Sequence, residues 1–274
     1  MPPKEMPMRI WNKLALTVAL ALPLLAQPPA GGRGGPPPPA KAAAPIDLTG
    51  YWVSIVDEDW RFRMVVPPPG DYNGVPMTAE ARKVADTWDP AKDEASGDVC
   101  KAFGAPAILR QPEHLHITWQ DDQTLRLDTD TGTQTRLFHF GNAKAPAGPP
   151  TLQGDSVAAW EIKGGGRGGP RPDPNAPFLN LADDPAPQGK GTLKVTTTHL
   201  KAGYLRKNGV PYSENAVLTE YYDMIREHNG DLLLVVMIVM NDPQYLREPF
   251  IITSHFKKQA NDAGWKPTPC TAKW

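Results

Sequence analysis

From residue 48 onward, apolar and polar positions alternate in short runs separated by turn-forming residues. Side chains at i and i+2 share one face of a strand, so this alternation marks strands with one covered face. It predicts strands over LTGYWVSIV (48–56), WRFRMVV (60–66), LHITW (115–119), TLRLDTD (124–130) and TQTRLFHF (133–140). The same pattern continues through SVAAWEI (156–162), TLKVTTTHL (192–200), NAVLTEYYDMI (215–225), DLLLVVMIVM (231–240) and PFIITSHFKK (249–258). Leu232 to Met240 is apolar at every position, which predicts a central strand covered on both faces. Thr131-Gly132 is a turn signal, and Asn229-Gly230 predicts a two-residue type I′ hairpin. Helices look few. Thr78 is an N-cap for a helix ending before Pro90, and residues 96–104 predict a helical turn ending at Gly104. The expected fold is all-β, a closed barrel or sandwich with one or two short peripheral helices.

The N-terminus changes the picture of compartment. Arg9 and Lys13 precede an apolar run from Leu14 to Ala26, broken only by Thr17 and Pro23. A basic segment, a short apolar segment and a small residue at its end read as a secretory signal peptide over residues 1–26. The run is shorter than the roughly 20 residues that a membrane span needs. Residues 27–45 form a Pro/Gly/Ala linker expected to be disordered, and 46–274 form a single domain. A long Gly/Pro-rich loop at 164–191 interrupts that domain, as a surface loop or as a lid over a cavity. Export to the periplasm or beyond makes Cys100 and Cys270, the only two cysteines, a candidate disulfide.

The 274 residues carry a formal net charge of -1, which gives no basic surface for nucleic acid. No G-x-S-x-G, Walker or dinucleotide-binding sequence is present, and no cofactor is expected.

DLTGYW holds a G-x-W at Gly50 and Trp52, and LTEYYD (218–223) a threonine-acid-tyrosine motif followed by a hairpin and an apolar strand. Together they resemble the lipocalin-like (calycin-type) barrels, which implies an antiparallel β-barrel of about eight to ten strands here. In that family an arginine near the final strand packs on the tryptophan; here FIITSHFKK offers Lys257 and Lys258. The phrases RKNGVPYSENAVLTEYYD, DDQTLRLDTDTGTQTRLFHFG and WKPTPC are similar to a family of exported bacterial proteins, which carries over no catalytic residue.

Candidate chemistry rests on which face each strand turns inward. His139, His199, Glu220, Tyr222 and His255 each share a face with apolar residues, His116 shares one with His114 and Thr118, and all six are expected to line the barrel lumen. One reading is metal: His114, His116 and His139 have spacings similar to the zinc ligands of α-type carbonic anhydrases. The rest of that pattern is missing, as is the second motif of a cupin site, so no metal is expected. A second reading is acid–base catalysis (isomerase, lyase or hydrolase) by His116, His139, His199, Glu220 and Tyr222. Against it, Glu220 could simply pair with Arg206 or Arg226. The preferred reading is binding of a small, mostly apolar molecule in the barrel by His116, His139, His199, Glu220, Tyr222 and His255. In WRFRMVV, Trp60, Phe62 and Met64 are expected to pack while Arg61 and Arg63 are solvated.

Overall fold

A computed structural model describes residues 38–141, 148–162 and 191–273. The expected signal peptide (1–26), the expected linker up to residue 37 and all but the last residue of the loop expected at 164–191 lie outside the described residues. Nine strands close into a barrel: β1 (Gly50–Ile55), β2 (His114–Asp121), β3 (Thr124–Thr129), β4 (Thr135–Phe140), β5 (Asp155–Ile162), β6 (Gly191–Thr198), β9 (Val217–Arg226), β10 (Leu232–Asn241) and β11 (Phe250–Gln259). The short β7 (Gly203–Tyr204) and β8 (Pro211–Tyr212) form a separate hairpin. Around the ring the order is β1-β11-β10-β9-β6-β5-β4-β3-β2, with β1 pairing both β11 and β2. Every neighbouring pair is antiparallel except β4 and β5, which run parallel. The connection over residues 141–154 has the length that a parallel crossover requires. The all-β barrel expected from alternation is present, and it is consistent with a lipocalin-like barrel.

Trp52 is fully buried, and its indole N–H donates to Leu48 O at 2.9 Å. Lys258 Nζ lies 4.4 Å from the Trp52 ring centroid and also donates to Thr49 O. The Lys258 ammonium thus makes a cation–π contact with the tryptophan. Gly50 has φ +103°, and a Cβ there would sit 2.9 Å from Lys258 Nζ, so the glycine of the motif serves both the backbone and this packing.

Register places one end of the barrel under a cap. The β1–β2, β6–β9 and β10–β11 connections all emerge at that end. The β1–β2 connection carries α1 (Trp60–Met64), α2 (Ala79–Asp86), α3 (Pro90–Ser96), a 3-10 turn (Lys101–Phe103) and α4 (Ala105–Ile108). Asn208, beyond β7, donates to Pro68 O and Asp71 O, and Arg206 Nη1 donates to Asn73 O. Thr78 N donates to Tyr245 O, tying α2 to the β10–β11 connection. The expected N-cap holds, with Thr78 Oγ1 accepting from Ala81 N at 3.1 Å.

Several expectations need correction. The strand expected over 60–66 is helix α1, with Trp60 62% and Met64 59% exposed while Arg63 is buried. Arg63 is drawn inward because it finds three acceptors, Arg110 O, Glu58 Oε1 and Ser54 Oγ. Among the described residues four short helices form rather than one or two; α3 starts at Pro90, with Asp89 as its N-cap, where only a stop was read. The β9–β10 hairpin exists, but Glu227 N donates to Asp231 O and Gly230 takes φ +89°, a three-residue loop rather than a two-residue turn. Strand β10 is covered on one face only: Leu234, Val236, Ile238 and Met240 are buried, while outward Met237 is 39% exposed. Residues 38–45 of the stretch expected to be disordered turn back onto the base, where Trp160 Nε1 donates to Ala40 O.

Cys100 and Cys270 form the expected disulfide across 170 residues. It joins the cap to the C-terminal segment. Cys100→Ser with Cys270→Ser should cost about 5 kcal/mol on the loop-entropy model and lower Tm by about 10–15 °C. Calorimetry of the oxidised protein against the double variant checks this, and an unchanged Tm would refute it.

Candidate functional site

The inward faces of the strands bring a polar group into an otherwise apolar lumen. Arg136 on β4 and Glu220 on β9 are both fully buried and meet side by side: Arg136 Nη1 donates to Glu220 Oε1 at 2.7 Å and Nη2 to Oε2 at 2.6 Å. Tyr222 OH donates to Glu220 Oε1 at 3.2 Å, and Arg136 Nη2 also reaches Thr197 Oγ1 at 3.3 Å. Thr197 in turn shares a 2.7 Å hydrogen bond with Ser156. Burial disfavours the Arg136 charge, but the Glu220 carboxylate outweighs it and holds the guanidinium above its ordinary value. Burial and the same carboxylate push the Tyr222 phenol well above its usual range. Arg136, not Arg206 or Arg226, is therefore the partner of Glu220.

The histidines lie elsewhere. On β2, Leu115 and Ile117 face the core, so His114 and His116 face outward. On β4, Arg136, Phe138 and Phe140 point inward and His139 outward, with its Nδ1 3.4 Å from Thr124 Oγ1. His199 follows β6 in a left-handed conformation and bonds Asp155 Oδ2 through Nδ1 at 2.8 Å. His255 is on the outer face of β11. Of the residues expected in the lumen, only Glu220 and Tyr222 are there. His114, His116 and His139 do not converge as a metal site.

His114 and His116 instead support the C-terminal segment. The His116 ring stacks on Tyr51 with centroids 4.1 Å apart, and Trp265 packs edge-on against both. His114 Nδ1 is 2.8 Å from Asp130 Oδ2, which also accepts from Lys266 N at 3.2 Å.

Alternation would have found a different acid. Glu113 shares parity with Leu115 and Ile117, so it points inward just above β2, at the capped end. Its carboxyl is buried and neither oxygen has a hydrogen-bond partner. Burial, reinforced by Asp130, raises it well above the carboxylate range against the opposing charges of Arg63, Arg136 and Lys207. Burial pushes Lys207 down to about 8, with Glu113 opposing the shift.

A second cluster stands outside the wall. Asp57 and Glu58 follow β1, and β1–β11 pairing sets Ile55 opposite His255. Burial, and then the hydrogen bond shared with Asp57, raises Glu58 to about 7. The same hydrogen bond is the leading cause of Asp57 falling to about 2.

Inward Trp119, Phe140 and Trp160 fill the base, and Phe138 packs on Tyr222. Open clefts lie at the two ends. One of about 590 Å³ is lined by Pro45, Ile46, Asp47 and Trp119, and one of about 400 Å³ by Gly74, Pro76, Arg247 and Ile251. Among the described residues no helix is long and apolar enough to cross a membrane. No protein-family model, no curated protein and no solved structure significantly matches the chain.

Two substitutions separate structural from functional polar groups. Arg136→Met should destabilise by about 3–5 kcal/mol in urea unfolding, because it strands a buried carboxylate. Adding Glu220→Leu should recover most of that loss; a double variant as unstable as the single one would contradict this account. Glu113→Gln should act oppositely. A carboxyl raised in the folded state carries no penalty below its unfolded value of about 4.5 and loses about 1.4 kcal/mol per pH unit above it, until its folded value is reached. The variant should therefore match wild type at pH 4 and gain on it as the pH rises above about 4.5, which a series of thermal melts at rising pH would show.

Proposed function

We propose that the chain is an exported, lipocalin-like (calycin-type) barrel that binds a small, mostly apolar molecule at its capped end, through one polar group that meets Glu113. The observation that carries this reading is a buried carboxyl with two unsatisfied oxygens. Leaving such a group unpaired costs about 1–3 kcal/mol or more, and proteins rarely keep one without a use. A hydrogen-bond donor on the ligand, such as an amide, hydroxyl or amine, would satisfy it. The signal-like segment 1–26 and the disulfide support an oxidising compartment outside the cytoplasm. Glu220 and Tyr222 contribute by holding the wall in shape, since Arg136 already occupies the carboxylate.

One observation favours an acid–base enzyme as the second reading. Glu113 is raised and Lys207 is lowered to about 8, so the two shift towards one another, as the members of a proton-transferring pair do.

Native mass spectrometry of the oxidised chain recovered from periplasmic expression tests the proposal. The expected result is an organic adduct of one copy per chain, with affinity roughly tenfold or more weaker in Glu113→Gln. A bare chain from every preparation, or an adduct that Glu113→Gln leaves undiminished, would overturn it. Once the adduct is identified, Lys207→Met that keeps binding but loses turnover would favour the enzyme.

A further inference from the structure

We propose that Asp57, Glu58 and His255 form a binding site for a divalent transition-metal ion of the zinc class. Among the described residues this is the group of His, Cys, Asp and Glu side chains whose potential ligand atoms converge, all within 4.8 Å of one another. His255 Nδ1 lies 2.9 and 3.0 Å from the two Asp57 oxygens and 3.5 Å from Glu58 Oε2.

The support behind the cluster is independent of it. The Arg63 side chain is fully buried and donates to Glu58 Oε1 at 2.6 Å, while its other nitrogens bond Arg110 O and Ser54 Oγ. Glu58 is thereby held by one oxygen. Its other oxygen, Oε2, is shut off from solvent, accepts no hydrogen bond and is the one nearest His255. That is the arrangement in which a neighbouring group orients a carboxylate and leaves its second oxygen for an ion. Asp59, in a left-handed conformation, turns the chain immediately after the two acids, and its own carboxylate is taken by Arg110 at 3.1 Å. It is therefore not a ligand.

The donor set selects the ion. Two carboxylates and one imidazole balance a 2+ charge; the imidazole disfavours calcium and magnesium, which take oxygen ligands, and suits zinc. The ring would coordinate through Nδ1 and carry its hydrogen on Nε2. The Asp57 side chain is 53% exposed, so one side of the site faces solvent and leaves room for water or a further ligand.

The test is calorimetric titration of Zn²⁺ into the oxidised full chain, alongside Asp57→Asn and His255→Gln. The expected result is one ion per chain at micromolar affinity, weakened at least tenfold in each variant, with unchanged thermal melts. Asp57→Asn keeps all six histidines, so its loss of binding separates this site from adventitious binding at other imidazoles. An absence of binding in wild type, or binding that both variants retain, would overturn the proposal.

Discussion

The Arg136–Glu220 ion pair is the interaction on which the barrel interior depends. Its strands, β4 and β9, are not neighbours: β5 and β6 separate them in the ring. With Thr197 of β6, Ser156 of β5 and Tyr222 of β9, the pair ties four strands together from within. Two charges buried this deeply tolerate no error of placement, since each alone would cost several kcal/mol. A one-residue slip of β4 would turn Arg136 outward and leave Glu220 stranded, so the pair also fixes register. It acts where the ladder is shortest. The parallel β4–β5 seam has three paired positions, against eight between β5 and β6. That seam is unavoidable in this architecture, because a closed ring with an odd number of strands cannot be antiparallel at every junction.

The two histidines of PEHLHITW belong to the outside of the same wall. Their face looked functional because it gathered titratable groups, yet it serves as a platform for the segment that follows β11. Trp265 lies against the Tyr51–His116 stack, Lys266 and Thr268 bond Asp130, and Cys270 reaches the cap. The imidazoles are half-buried because chain covers them.

Much of the fold could be read from alternation, and the disulfide from compartment and an even cysteine count. Which face pointed inward was harder. In HLHITW both parities are self-consistent, and only the apolar set Leu115, Ile117 and Trp119 identifies the core side. Preferring the titratable set placed four histidines in the lumen and overlooked Glu113, whose parity with Leu115 was visible. Arg136 was hidden for a different reason: its partner lies 84 residues away, across the barrel, and no local pattern encodes that contact. WRFRMVV misled because seven residues cannot distinguish a period of 2 from one of 3.6 when the deciding event is a buried arginine finding distant acceptors. The Asp57–Glu58–His255 cluster likewise depends on β1–β11 pairing, a contact between opposite ends of the domain.

The disulfide has a topological consequence. The covalent loop it closes runs from residue 100 to residue 270 and encloses every strand except β1, along with neither α1, α2 nor α3. Tension applied at the N-terminus, as by any machinery that draws the chain from that end, is carried by residues before Cys100 and then passes directly through the sulfur bridge. It can peel β1 from between β2 and β11 and unravel the outer helices of the cap. The other eight barrel strands hang from the bridge as an unloaded loop, so the oxidised protein has a mechanical limit to its extension that the reduced protein lacks.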